Sequence, residues 1–198
     1  MRLPKSAYTA RSWRIHDVTP DFRLEDVWAL PTPGERHDFP HLVQLVASFD
    51  PSRSSSTAVR TLFAIRWRIG RLLGWDAPGK AGRGSDRTLR DRLPHDLREA
   101  AAGPDPGPFS SVYLLQDEWA AETVNRTVHG VMHLSWVSDG RGRYRGQMAV
   151  LVKPNGRLGT GYMTAIAPFR RLIVYPRMLR ELGRRWQTRV SAEQEPVG

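Results

Sequence analysis

The chain of 198 residues has a hydrophobic content of 40% and seven tryptophans, which is typical of one folded domain with a sizeable core. It contains no cysteine, which excludes disulfide bonds, a thiol nucleophile and thiolate metal ligands. The first residues lead into no apolar segment of the signal-peptide type, and no apolar run is long enough to cross a bilayer. We therefore expect a protein of the reducing cytoplasm without a transmembrane segment.

The net charge of +10 and the isoelectric point of about 10.9 suggest nucleic acid or an anionic membrane as a partner. Nearly all of this charge comes from arginine, because lysine occurs only at positions 5, 80 and 153. The arginines are spread over the whole chain rather than gathered in one stretch. We therefore expect no specific nucleic-acid binding.

The first part of the chain predicts short elements behind a flexible tail of residues 1–12. Alternating apolar residues at 13–18 predict a first strand. Residues 22–30 fit either a strand or a short helix, and the Pro- and Gly-rich residues 31–34 should end it. Residues 42–49 form a short buried element of either type.

The middle of the chain predicts a helix followed by strands. Residues 57–74 have apolar residues at helical spacing, arginines on the other face and a glycine at the end. Residues 109–115 predict a strand. Residues 117–124 contain several helix formers, but a turn at Asn125-Arg126 favours a strand that completes an antiparallel meander.

Two apolar-rich runs, residues 127–137 and 144–153, predict a β-hairpin around which the fold is organised. Asp139-Gly140 lies between them and supplies the positive φ angles that a tight reversal needs. The turn signal Pro154-Asn155-Gly156 ends the second run.

After that turn, apolar residues recur at helical spacing as far as Trp186. Pro168 and Pro176 interrupt this pattern, and each removes a backbone donor, so we expect a kinked helix. The predicted fold class is α+β, with an antiparallel β-sheet wrapped around a long, Pro-kinked C-terminal helix.

Three segments carry a resemblance to a known family, at residues 62–74 (LFAIRWRIGRLLG), 125–130 (NRTVHG) and 168–176 (PFRRLIVYP). The sequence resembles a bacterial domain-of-unknown-function family that is similar to the START-like, polyketide-cyclase-like (SRPBCC) helix-grip superfamily. The resemblance covers residues 13–187 as one domain, with tails at 1–12 and 188–198. It implies a ligand cavity between sheet and helix but transfers no catalytic residue. Some members are fused to NAD(P)-binding, short-chain-dehydrogenase-like domains. We expect no such domain in this sequence, so a reductase partner would act in trans.

Strand alternation places a set of polar side chains on one face of the hairpin and of the strand before it. A turn near Gly140 places Ser135 opposite Arg145, His133 opposite Gln147 and His129 opposite Leu151, while a turn at Asn125-Arg126 places Glu122 opposite His129 and Glu118 opposite His133.

The two predicted Glu–His pairs are the candidate catalytic groups, because a carboxylate can orient an imidazole for acid–base work. The candidates are Glu122, His129 and His133, with Glu118 as the second carboxylate. The favoured alternative is that this face is the solvated outer side of a half-buried sheet. Four residues along a strand span roughly 13 Å, so His129 and His133 cannot share one metal ion. We expect no metal and no cofactor.

The opposite face of the hairpin is apolar and should pack on the C-terminal helix. We expect one cluster between sheet and helix that lines the ligand site: Trp136, Tyr144, Met148, Tyr162, Ile166 and Phe169. The hydroxyls of Tyr144 and Tyr162 need partners if buried and would lie at the cavity mouth, with Arg170 as an anchor for an anionic ligand.

The expected function is the binding of a small, largely apolar or aromatic molecule in that cavity. Cyclase, isomerase or hydrolase chemistry on the ligand is left open. The alternative is a non-enzymatic interaction module that binds an acidic protein, RNA or a membrane through the arginines of residues 57–74 and of the C-terminal tail.

Overall fold

The computed structural model describes residues 1–49, 88–125 and 127–194, and the helix predicted at residues 57–74 lies outside them. The described chain contains a five-stranded antiparallel sheet with the strand order β1-β5-β4-β3-β2. The strands are β1 (Arg23–Gly34), β2 (Ser110–Leu114), β3 (Glu118–Val124), β4 (Val128–Ser138) and β5 (Tyr144–Pro154). A long C-terminal helix packs on this sheet, which confirms the α+β class and an arrangement consistent with a helix grip.

The helices surround the sheet on both sides. They are α1 (Ser6–Thr9), α2 (Ile15–Val18), α3 (Phe39–Ala47), α4 (His95–Glu99), α5 (Gly156–Phe169) and α6 (Tyr175–Gln194). A π-helical turn, Arg170–Val174, joins α5 to α6, and short 3-10 turns lie at Arg36–Asp38 and Leu89–Arg92. Within the described ranges, no helix is both long and apolar enough to cross a membrane.

The structure decides or corrects the predictions for the first part of the chain. The strand predicted at residues 13–18 is wrong, because Ile15–Val18 is a helical turn whose buried residues Ile15 and Val18 are three apart. Of the ambiguous residues 22–30, all but Phe22 belong to strand β1, which continues through the expected stop at Pro31. Prolines are tolerated there because β1 is an edge strand of the sheet. Residues 42–49 are largely helical. They belong mostly to α3, which has a proline in its first turn.

Both predicted tails contain ordered structure. At the N-terminus, the amide of Leu3 donates to the carbonyl oxygen of Val27 over 2.8 Å, and Tyr8 is completely buried. At the other end, α6 continues to Gln194, beyond the expected end of the domain at residue 187. Polar composition alone suggested disorder, whereas edge pairing and helix packing hold these residues.

The β3–β4–β5 meander has the predicted faces in a shifted register. Ser135 lies opposite Gln147 rather than Arg145, and Glu118 lies opposite Ser135 rather than His133. In both strand pairs the register differs from the predicted one by two residues. The loop of the β4–β5 hairpin closes through the amide of Asp139, which donates to the carbonyl oxygen of Arg143. A shift by an even number of residues keeps every side chain on its predicted face.

Both faces of the sheet are buried. One face packs on α6 and α3 through Trp28, Leu134, Trp136, Met148 and Trp186. The other face is covered by the N-terminal segment and by residues 89–97, through a core that includes Tyr8, Ile15, Leu89, Tyr113 and Val131. The interpretation of the Glu–His face as a solvated outer surface is therefore wrong.

The kink predicted in the C-terminal helix is present and is anchored to the sheet. Pro168 lies inside α5, and the π-helical turn between α5 and α6 absorbs the break in the hydrogen-bond ladder. Asp26 of β1, whose side chain is fully buried, forms ion pairs with Arg171 Nε at 2.8 Å and with Arg170 Nη2 at 3.0 Å. Arg2 forms a longer pair with the same carboxylate, at 3.3 Å.

The apolar cluster predicted between sheet and helix is only partly assembled. Trp136 and Met148 are buried in the α6-side core, and the half-buried Tyr144 packs against it. Ile166 packs instead against a small separate cluster near Val128. Phe169 is 52% exposed, so its predicted place in the core is wrong. The side chain of Tyr162 lies outside the described residues.

We predict that Phe169→Ala changes the free energy of unfolding by no more than about 0.5 kcal/mol, as for an ordinary surface position. Leu182→Ala should lower the free energy of unfolding by about 2–5 kcal/mol, because Leu182 of α6 is buried in the core. Urea denaturation of both variants measures the difference. A loss of several kcal/mol in Phe169→Ala would show that this side chain is buried in solution.

Candidate functional site

Two Glu–His pairs lie side by side on strands β3 and β4. His133 Nε2 is 2.8 Å from Glu118 Oε2, and His129 Nε2 is 2.6 Å from Glu122 Oε2. All four side chains are buried, and His133 is completely closed to solvent. The predicted partners are therefore confirmed, although they meet diagonally, since Glu118 lies opposite Ser135 and Glu122 opposite Val131.

The Glu118 carboxylate accepts hydrogen bonds from three parts of the chain. The amide of Arg14 donates to Oε1 over 3.1 Å, and the hydroxyl of Tyr113 donates to Oε2 over 3.1 Å, beside the bond from His133. Burial raises the pKa of Glu118, but His133 and the two other donors outweigh burial and bring the pKa below its ordinary value. Glu118 is therefore an ionised carboxylate at neutral pH.

This charge state fixes the direction of the bond between His133 and Glu118. Because an ionised carboxylate only accepts, His133 Nε2 carries the hydrogen donated to Glu118. Nδ1 of the same ring lies 3.1 Å from the hydroxyl of Tyr8. Burial raises the pKa of Tyr8, so this hydroxyl remains a donor. The result is a closed Tyr–His–Glu relay that links α1 to the sheet.

The second pair is held by the other covering segment. The backbone amide of Leu89 donates to both oxygens of Glu122, at 2.9 and 3.1 Å. The ring of Phe22 packs edge-on against His129 with 4.8 Å between ring centroids. Each carboxylate therefore binds one backbone amide of the layer that covers this face, Arg14 for Glu118 and Leu89 for Glu122.

The two pairs have the residue types of an acid–base centre, but a substrate cannot reach them in this structure. A catalytic base has to come within hydrogen-bond reach of its substrate, and these side chains are buried and hydrogen-bonded to one another and to the covering layer. In this structure the network attaches the N-terminal segment to the sheet. Among the described residues there is no cluster of three or more metal-ligating side chains.

A shallow pocket of about 380 Å³ opens beside this network and is lined by Thr9, Ala10, Arg11, Ser12, Trp13, Arg14, His16 and Asp17. Two ring nitrogens, Trp13 Nε1 and His16 Nε2, are buried without a hydrogen-bond partner. Burial lowers the pKa of His16, and His133 lowers it further, so the His16 ring is neutral at pH 7. The pocket is mostly backbone and polar side chains.

A larger groove of about 500 Å³ lies between β1 and α6. Its lining consists of Met1, Trp28, Pro31, Pro176, Leu179, Arg180, Gly183, Arg184 and Gln187. Gly183 allows the helix to approach the strand closely, because a Cβ atom there would lie 2.8 Å from Pro31 Cγ. Apolar side chains of both elements form the floor of the groove, and the polar side chains come from the helix.

The indole of Trp28 in this groove has an unsatisfied N–H. Trp28 Nε1 is closed to solvent and has no hydrogen-bond partner. The other tryptophans of this core differ, since Trp136 Nε1 donates to the carbonyl oxygen of Glu35 and Trp186 Nε1 to that of Pro33. A buried donor without an acceptor costs about 1–3 kcal/mol. An acceptor that reached Trp28 would recover this energy.

Residues 18–177 match the family described as protein of unknown function (DUF2867). The chain belongs to this family. Searches of curated proteins and of solved structures find no match. The family description names no activity, so the functional argument for this DUF2867 member depends on its own residues.

The predicted ligand residues and the groove of this DUF2867 chain do not coincide. Trp136 and Met148 belong to a filled core, and Arg170, the expected anion anchor, is engaged by Asp26 and lies 3.6 Å from Glu25. The groove residue Trp28 belongs to the segment 22–30, whose element type is ambiguous from sequence, and Pro31 belongs to the expected stop at residues 31–34. The sequence predicts that Leu179 and Gly183 lie on one side of a helix, because they are four residues apart. Only the fold shows which strand that side of the helix faces.

We predict that Glu118→Gln lowers stability at pH 7 by about 1.5–3 kcal/mol, the usual contribution of hydrogen bonds to a charged group. The folded pKa of Glu118 is depressed, so its contribution is complete above the ordinary value of 4.5 and is lost as the pH falls through the folded pKa. The variant should therefore show a flatter decline in stability below pH 4.5. Urea denaturation between pH 3 and 7 measures both effects.

Glu99→Gln is the matched control, because Glu99 is an exposed carboxylate that lies 3.6 Å from the ring of His95. It should leave stability at pH 7 nearly unchanged. Equal stability of Glu118→Gln and Glu99→Gln at pH 7 would contradict a role for Glu118 in holding the covering layer.

Proposed function

We propose that this protein binds a small, largely apolar molecule in the groove between β1 and the C-terminal helix α6. The groove lies at the edge of the layer between sheet and helix, whereas the sequence predicted a cavity in the middle of that layer. The middle is filled by large side chains, among them Trp136 and Trp186, whose ring centroids are 6.0 Å apart. The space open to a ligand is therefore displaced towards the edge strand.

The unsatisfied indole N–H of Trp28 is the observation that carries this proposal. The volume of the groove, about 500 Å³, is within the range of small-molecule sites. Its floor of Trp28, Pro31 and Leu179 supplies apolar contact area, and the indole N–H supplies one directional polar contact. Because that N–H is closed to solvent, binding of an acceptor requires a local rearrangement of the groove lining.

The lining residues favour binding over catalysis. Among the described side chains of the groove there is no histidine and no carboxylate, so the groove itself offers no acid–base pair. Cyclase, isomerase or hydrolase chemistry would need groups supplied by the ligand or by a partner, such as a reductase acting in trans. We also propose that the sheet and helix are related to the START-like (SRPBCC) helix-grip arrangement, in which a ligand lies between these two elements.

Titration with octan-1-ol, an apolar probe with one hydroxyl, tests the groove. We expect the indole N–H resonance of Trp28 in a proton–nitrogen correlation spectrum to shift in a saturable way, because the probe hydroxyl accepts its hydrogen bond. Trp28→Phe identifies the resonance by removing it.

Trp13 is the matched control, since its buried Nε1 also has no partner but lies on the other side of the sheet. Its resonance should not move, and Trp13→Phe should bind the probe as the wild type does. Equal movement of both resonances, or none up to the solubility limit of the probe, would refute the proposal. Native mass spectrometry of protein purified from its own host then identifies the natural ligand.

A further inference from the structure

We infer that the ligand of the groove carries a carboxylate, which is bound jointly by the guanidinium of Arg180 and the indole N–H of Trp28. This inference rests on the proposed binding function and specifies its ligand class, an amphipathic carboxylic acid. The apolar part of such a molecule lies on Pro31 and Leu179, and its charged end lies where Arg180 reaches towards Trp28.

The α6 side of the groove is divided lengthwise into an apolar and a polar stripe. The apolar stripe is made of Pro176, Leu179 and Gly183, and the polar residues Arg180, Arg184 and Gln187 continue beside it at spacings of four and three. A helix repeats every 3.6 residues, so each set is a continuous line. A ligand along this helix therefore meets apolar contacts on one side and positive charge on the other.

Arg180 differs from several neighbouring arginines in having no carboxylate nearby. Arg185 binds Glu181 at 2.8 Å, and Arg170 and Arg171 bind Asp26. Among the residues that the structure describes, no carboxylate lies within ion-pair distance of Arg180, whose Nε donates to the carbonyl oxygen of Pro176 over 3.2 Å. That bond engages Nε of the guanidinium and leaves its two terminal nitrogens to bind an anion.

A carboxylate satisfies both groups at once. It has two oxygens with about four acceptor sites, and a guanidinium binds it in a bidentate manner. Arg180 is exposed and long, so its head group can reach over the apolar stripe towards the strand. A neutral alcohol can satisfy Trp28 but gains little from Arg180. The structure therefore predicts discrimination between an acid and its matched alcohol.

The test compares octanoate with octan-1-ol, which have the same chain length, on the wild type and on Arg180→Gln. We expect octanoate to bind the wild type about threefold to fivefold more tightly at low ionic strength, as for an exposed ion pair. In Arg180→Gln this preference should disappear, because the affinity for octanoate falls to about that for octan-1-ol. Arg180 is on the surface, so denaturation curves should confirm an intact fold.

Arg98→Gln is the control for net charge, because Arg98 is an exposed arginine of α4, on the opposite side of the sheet. It should retain the preference for octanoate. Equal binding of the two probes to the wild type, or an equal effect of both arginine variants, would overturn the carboxylate assignment and leave the binding function standing. Failure of both probes to bind the wild type would overturn the binding function itself.

Discussion

A single buried carboxylate, Asp26, determines where the C-terminal helix lies on the sheet. Its side chain has no exposure to solvent, and a bare charge in that position would cost several kcal/mol. Arg170 and Arg171 compensate this charge from the π-helical turn, and Arg2 does so from the N-terminal edge. The helix can therefore bend only where these guanidinium groups remain within reach of β1, and α6 begins directly after that point. The position of the groove between β1 and α6 therefore depends on the ion pairs of Asp26 with Arg170 and Arg171.

The other face of the sheet follows the same principle with different groups. Glu118 and Glu122 are buried carboxylates, and each binds a histidine of the neighbouring strand and a backbone amide of the covering layer. A buried polar network of this kind is stable only when its members are satisfied, so the covering segments must be in place for the sheet to be stable. This explains why a face that reads as polar in sequence is nevertheless interior.

The unsatisfied groups are distributed differently from the satisfied ones. Within the described residues, the Glu–His pairs find their partners, whereas Trp28 Nε1 in the groove and Trp13 Nε1 beside the N-terminal pocket do not. We therefore place the proposed ligand site at the edge of a core rather than in the polar network between the strands. The groove combines such a group with apolar area and with a cation that lacks a carboxylate, which is the combination suited to an amphipathic acid.

Periodicity in the sequence was sufficient to predict the hairpin, the alternation of faces, the Glu–His partners and the kinked C-terminal helix. These depend on local spacing, and an even shift in register preserves them. Sequence could not show that the polar face is covered, because its covering layer is built from residues far away in the chain, such as Tyr8 and Leu89. Nor could it show that Phe169 turns outward or that Trp28 faces Leu179. Those facts depend on where the helix crosses the sheet, and the long-range ion pairs of Asp26 decide that.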